Sequence, residues 1–130
     1  MRRMKSCLLL PALLLSTPGI VYAQSEQAVY QKLLDGLRTE VRILSSITDA
    51  DSAHTALPEL KKTMQAIEAL NNEVEEKQLW NYLENTTDVK QPLLDELERL
   101  FSELQRIEKA RYFGSKQLMQ QLAPMVNPAA

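Results

Sequence analysis

Four arginines, one histidine and a handful of aromatic residues carry most of the chemistry open to this chain. Arg38 and Arg42 lie one helical turn apart, and Arg99 and Arg106 lie two turns apart. Turned inward, such a set would line a pocket for carboxylates, because a guanidinium presents a fork of donors that matches a carboxylate. The four fall beside the apolar stripes of their segments, not within them. That placement predicts side chains that run along the surface and pair with acids such as Glu98 and Glu103. A small enzyme or ligand carrier with an arginine-lined pocket is therefore the alternative reading.

Trp80, Tyr82, Tyr112 and Phe113 are the other candidate binding residues. Aromatic side chains anchor interfaces, and they also plug the cores of small bundles. Both roles stay open from sequence. The junction Tyr112-Phe113-Gly114-Ser115 reads as a hinge and is the first place to expect a groove.

Other chemistry has little support. His54 is the single histidine, so a transition-metal site would lack its usual partners, and it reads as a surface residue near a helix start. Asp49-Ala50-Asp51 opens like a calcium loop but lacks the later acidic, glycine and glutamate positions. Helix capping accounts for both aspartates. Ser52 and Thr55 stand near His54, yet no acid–base constellation supports a nucleophile there. There is no glycine-rich phosphate loop. Asn85-Thr86-Thr87 matches a glycosylation acceptor, which matters only in a eukaryotic host. No cofactor is expected.

The elements that would hold these residues follow from composition and period. Residues 1–23 describe a secretory signal peptide. Arg2, Arg3 and Lys5 form a basic start, Leu8 to Leu15 an apolar run interrupted by Pro11 and Ala12, and Val21-Tyr22-Ala23 a small-residue cleavage pattern after Pro18-Gly19. The apolar run is too short to span a bilayer, which takes about 20 residues. Cleavage is expected after Ala23, giving a secreted or periplasmic mature chain with no transmembrane segment. Cys7, the lone cysteine, would leave with the leader. Three of the 15 Lys+Arg and none of the 17 Asp+Glu fall in residues 1–23, so the remainder carries a net charge of −5. An acidic balance argues against nucleic-acid binding, which needs a basic footprint.

Residues 24–130 read as one all-α domain, with the last seven or so loose. Tyr30, Leu33, Leu34, Leu37, Val41, Leu44 and Ile47 form an apolar stripe on a helix over 25–47. Gly36 inside it marks either a close helix approach or a tolerated glycine. A second stripe runs Ala53, Leu57, Leu60, Met64, Ile67, Leu70 and Val74, capped by Asp49 or Asp51, with Pro58 inside the helix or in its first turn. The earlier start is favoured. Leu79 to Leu83 either continue that helix or form a short one. A third long helix is expected over 89–112, capped by Thr87 or Asp88, burying Leu93, Leu94, Leu97, Leu100, Phe101, Leu104 and Ile107. Gly114 fits a left-handed cap, and Ser115 begins a short helix over 116–122, with Pro124 and Pro128 ending regular structure. Three seams joined by short connections predict an antiparallel three-helix bundle with a short fourth C-terminal helix. A two-helix hairpin that dimerises is the rival arrangement.

The run SSITDADSAHTALPELKKTMQAIEAL, with ELQRIEKARYFGSKQLMQQL, resembles small exported helical proteins of bacteria that have no assigned activity. The likeness spans about half of the mature chain and rests on an Asp-x-x-Ser-Ala turn and an aromatic-Gly-Ser break. It implies a similar bundle and an envelope location, and brings no catalytic residues with it. The leading functional expectation is a non-enzymatic binding or structural module acting on a protein partner or by self-association. A periplasmic chaperone-like bundle is a further alternative.

Overall fold

The computed structural model describes residues 18–126, and these form five α-helices with no strand among them. They are α1 (Pro18–Ser45), α2 (Ala50–Ala69), α3 (Glu76–Asn85), α4 (Lys90–Lys109) and α5 (Lys116–Val126). The basic start and apolar run of the expected leader lie outside the described residues. Helix α1 already includes Pro18, the first described residue, seven residues before the expected Ser25 start.

Local chemistry explains most boundaries. Asp49 caps α2: its Oδ1 accepts from Ser52 N at 2.8 Å, while Ser52 Oγ accepts from Asp49 N at 3.0 Å. These bonds hold the exposed Asp49 carboxyl below its ordinary range. The helix therefore starts before Pro58, which lies inside it. It does not run on to Val74. The chain tightens into a 3-10 turn over Leu70–Asn72, and the Leu79–Leu83 cluster belongs to the separate helix α3. Gln78 Oε1 accepts from Glu75 N at 3.3 Å at its start.

The cap expected from Thr87 or Asp88 is not formed. Val89 is the N-cap of α4 and makes no side-chain bond, and Asp88 is left-handed with φ 66°. Helix α4 also ends early, at Lys109. The left-handed turn expected of Gly114 alone spans Arg111, Tyr112, Phe113 and Gly114, with φ of 53°, 57°, 52° and 78°. Ser115 then caps α5, its Oγ accepting from Leu118 N at 3.1 Å. Helix α5 continues through Pro124 to Val126, so regular structure does not end at Leu122 or Pro124. Packing of Met125 and Val126 against the core accompanies that extra turn.

Residue pairs fix the directions of the long helices. Arg42 pairs with Glu59, Gly36 faces Ile67, and Lys32 pairs with Glu73, so α2 runs antiparallel to α1. Arg38 pairs with Glu96, and Arg106 reaches Leu44 and Ile47, so α4 runs parallel to α1. Helix α1 packs against both, whereas α2 and α4 scarcely meet. Helix α5 lies against each of them instead. The core gathers Ile43 and Leu44 of α1, Ile47 just after it, Leu60 of α2, Ile107 of α4, and Leu118 and Leu122 of α5. Each such side chain contributes about 1.5–3 kcal/mol on burial.

One part of the expected core is corrected. Leu94 is 37% and Phe101 54% exposed. At ~100° per residue the two sit at one edge of the α4 stripe, with Glu96 at the other edge. The covered arc is displaced toward α1, so Glu96 is buried and the two apolar residues are not.

Candidate functional site: an apolar cleft with a buried carboxyl

Because α2 and α4 stand apart, a cleft of about 850 Å³ opens between them. Helix α1 forms one wall through Val29, Leu33 and Glu40. Met64, Gln65, Ile67 and Glu68 come from α2, and Leu93 and Leu97 from α4. Helix α3 adds Glu76, Leu79, Trp80 and Leu83, while α5 adds Gln121, Pro124 and Met125. Leu70, Asn71 and Val74, in the segment between α2 and α3, complete the lining. Gln121 Nε2 donates to Met64 Sδ at 3.3 Å, joining α5 to α2. The volume lies in the range typical of small-molecule sites.

Glu40 is the unusual member of this lining. It is 2% exposed, and its Oε2 has no hydrogen-bond partner. A buried carboxylate without a partner is strongly disfavoured over its protonated form. Burial accordingly pushes its pKa up to about 7. The neighbouring cations on α1 do not relieve it. Arg38 and Arg42 are two residues away in sequence and so face elsewhere on the helix; they pair with Glu96 at 3.6 Å and Glu59 at 3.5 Å. Glu96 offers the contrast. It is 6% exposed, but Arg38 and Arg99 both pair with it.

The four candidate arginines therefore do not assemble a pocket, and none lines the cleft. Arg38, Arg42 and Arg99 form ion pairs with largely exposed guanidinium groups. Arg106 has a structural task absent from the sequence reading. Its Nη1 donates to Ile47 O at 2.9 Å and its Nη2 to Leu44 O at 2.8 Å, while Glu103 Oε1 accepts from its Nε and Nη2. The Leu44 carbonyl is in the last turn of α1 and that of Ile47 just past its end, where a cation also complements the helix dipole.

The aromatic candidates divide. Trp80 is 43% exposed and lines the cleft. Tyr82 is half-buried against Tyr30, with ring centroids 5.9 Å apart. Tyr112 and Phe113 are half-buried beside the main core, and their junction with α5 lines neither the cleft nor the smaller hollow of about 500 Å³ along the α1–α2 seam. His54 is exposed on α2.

Sequence reasoning missed Glu40, although a signal was present. Leu33, Leu37, Leu44 and Ile47 recur at core spacing, and position 40 falls on the same face. An acid at that register, with no basic residue three or four positions away on its own helix, is the mark of a buried unpaired carboxyl.

Chemically, the cleft offers apolar walls, one sequestered carboxyl and acidic side chains at Glu68 and Glu76. Among the described residues no serine, threonine, cysteine or histidine lines it. Among the described residues no group of three His, Cys, Asp or Glu side chains is placed to hold a metal ion. No helix among them is long and apolar enough to cross a membrane. No protein family, curated protein or solved structure matches the chain.

Proposed function

We propose that this chain is a non-enzymatic binding protein of the cell envelope, exported by a cleaved leader, whose working surface is the cleft between α2 and α4. In this reading the three long helices form an open bundle, with α5 wedged where a closed one would join α2 to α4. The observation that carries the proposal is an apolar cleft of about 850 Å³ whose lining, among the described residues, contains no nucleophile. Binding a guest would cover Leu79, Leu97, Met125 and the exposed ring of Trp80, removing apolar surface from water.

Trp80 is the single tryptophan of the chain, so its fluorescence reports on the cleft. Titration with the neutral dye N-phenyl-1-naphthylamine is expected to give saturable energy transfer from Trp80. The paired variant Leu33→Phe, Leu97→Phe, which fills the cleft from two walls, is expected to abolish it. Saturation unchanged in the filled variant, or no saturable signal in the native chain, would remove the cleft as the binding surface.

A second reading keeps the protein partner and is favoured by exposed Phe101 and Leu94, two turns apart on α4. There the partner would be a second copy of this chain. Sedimentation of the native chain beside Phe101→Glu separates the cases: a dimer lost in the variant supports it, and a monomeric native chain rejects it.

A further inference from the structure

We propose that the guest of the cleft is an amphiphilic amine: an apolar body with one terminal ammonium group that meets the Glu40 carboxyl. The inference rests on the cleft reading above and adds the chemical class of the ligand. Glu40 Oε2 is buried and unpartnered, and Glu40 belongs to a largely apolar cleft lining. A sequestered polar atom of that kind is rarely left unpaired in a folded protein. Glu40 is one of the residues that line the cleft, and a shift of its side chain would bring the carboxyl to an entering donor. Among the described residues the other ionisable side chains of the lining are Glu68 and Glu76, both exposed acids, and no lysine or arginine lines the cleft. The charge pattern therefore attracts a cation and repels a fatty carboxylate. The remaining lining is mostly apolar, with amides at Gln65, Asn71 and Gln121, and favours a guest whose body is largely hydrocarbon. Ammonium donates to a carboxylate through a charge-assisted hydrogen bond, which is stronger than its neutral counterpart. A neutral guest leaves that contribution unused, and an anionic one meets the exposed acids Glu68 and Glu76.

Calorimetric titration with decylamine, decanol and decanoate, each below its micelle concentration, holds the chain length constant and changes only the head group. The native chain is expected to bind decylamine best and decanoate worst. In Glu40→Gln the amine is expected to lose roughly 10- to 100-fold in affinity, the range for removing a charged hydrogen-bond partner. Decanol is expected to bind the variant about as well as the native chain. The comparison among head groups in the native chain tests the idea without any substitution. Equal affinities for amine and alcohol, or a preference for the carboxylate, would overturn the head-group assignment while leaving the apolar cleft in place. A preference for amine that survives in Glu40→Gln would overturn the role of Glu40. Failure of all three compounds and of the neutral dye would take the cleft reading down as well.

Discussion

Glu40 and Glu96 are both glutamates buried beside leucines, and their surroundings give them opposite character. Glu96 is met by Arg38 and Arg99. Glu40 is met by no cation, and burial lifts its pKa to about 7. Native Glu40 thus holds its proton more tightly than the same residue in the unfolded chain. Between the ordinary carboxyl value and pH 7 the native state binds more protons, so its contribution to stability falls as pH rises through that window. The loss amounts to about 3 kcal/mol once both states are ionised. Glu40→Gln removes this titration. Urea unfolding followed by circular dichroism is expected to show the variant matching the native chain near pH 4 and exceeding it by about 3 kcal/mol near pH 8. Asp49 works in the other direction, since its hydrogen bonds to Ser52 favour the charged form and are lost on acidification. It is common to both proteins, so the difference between them isolates Glu40.

Among the elements, the α1–α2 seam shows why a glycine sits in mid-helix. A Cβ on Gly36 would stand 2.8 Å from Ile67 Cγ1, closer than packed carbons approach. Alanine would gain about 1 kcal/mol of helix propensity, while overpacking a helix contact costs about 1–3 kcal/mol. Gly36→Ala is therefore expected to destabilise by roughly 1 kcal/mol. In an Ile67→Ala background the clash is gone and the same change is expected to stabilise. A double-mutant cycle read from urea midpoints measures that reversal. The glycine could be seen as a break in an apolar pattern, and the helix-approach reading was one of two open at that point. Only the position of Ile67 on the facing helix decides it. The α4 end carries a similar lesson. Gly114 announced one left-handed residue, but nothing in Arg111, Tyr112 and Phe113 announced three more, since bulky residues disfavour that conformation by about 1–2 kcal/mol each. Packing of the Tyr112 and Phe113 side chains against the core offsets that strain.

At the scale of the whole molecule, α5 holds the cleft in shape. Leu118 and Leu122 are fully buried, and Gln121, Pro124 and Met125 of the same helix line the cleft. Leu122→Ala is expected to destabilise by about 2–5 kcal/mol, as for other large-to-small core changes. It should also weaken dye binding more than Leu60→Ala, which loosens α2 at a residue outside the lining. Equal losses of binding at matched stability would separate α5 from the cleft.

The residues alone determined the helices, because a 3.6-residue apolar period, capping side chains and glycine or proline breakers act within a few positions of the chain. The all-α class, an α2 start before Pro58 with Asp49 as one of two candidate caps, the left-handed Gly114 and the Ser115 cap were legible for that reason. Edges chosen by partners were not: Leu94 and Phe101 look as apolar as Leu93 and Leu100, and only the neighbouring helices determine which are covered. The same holds for the site. Arg106 reads as a surface cation until the carbonyls at the end of α1 come within reach. Glu40 reads as one more acid until α2 and α4 part and leave its carboxyl in an apolar wall. Periodicity specifies which face of a helix is greasy; the distances between helices decide where that face meets another side chain, and where it meets a space.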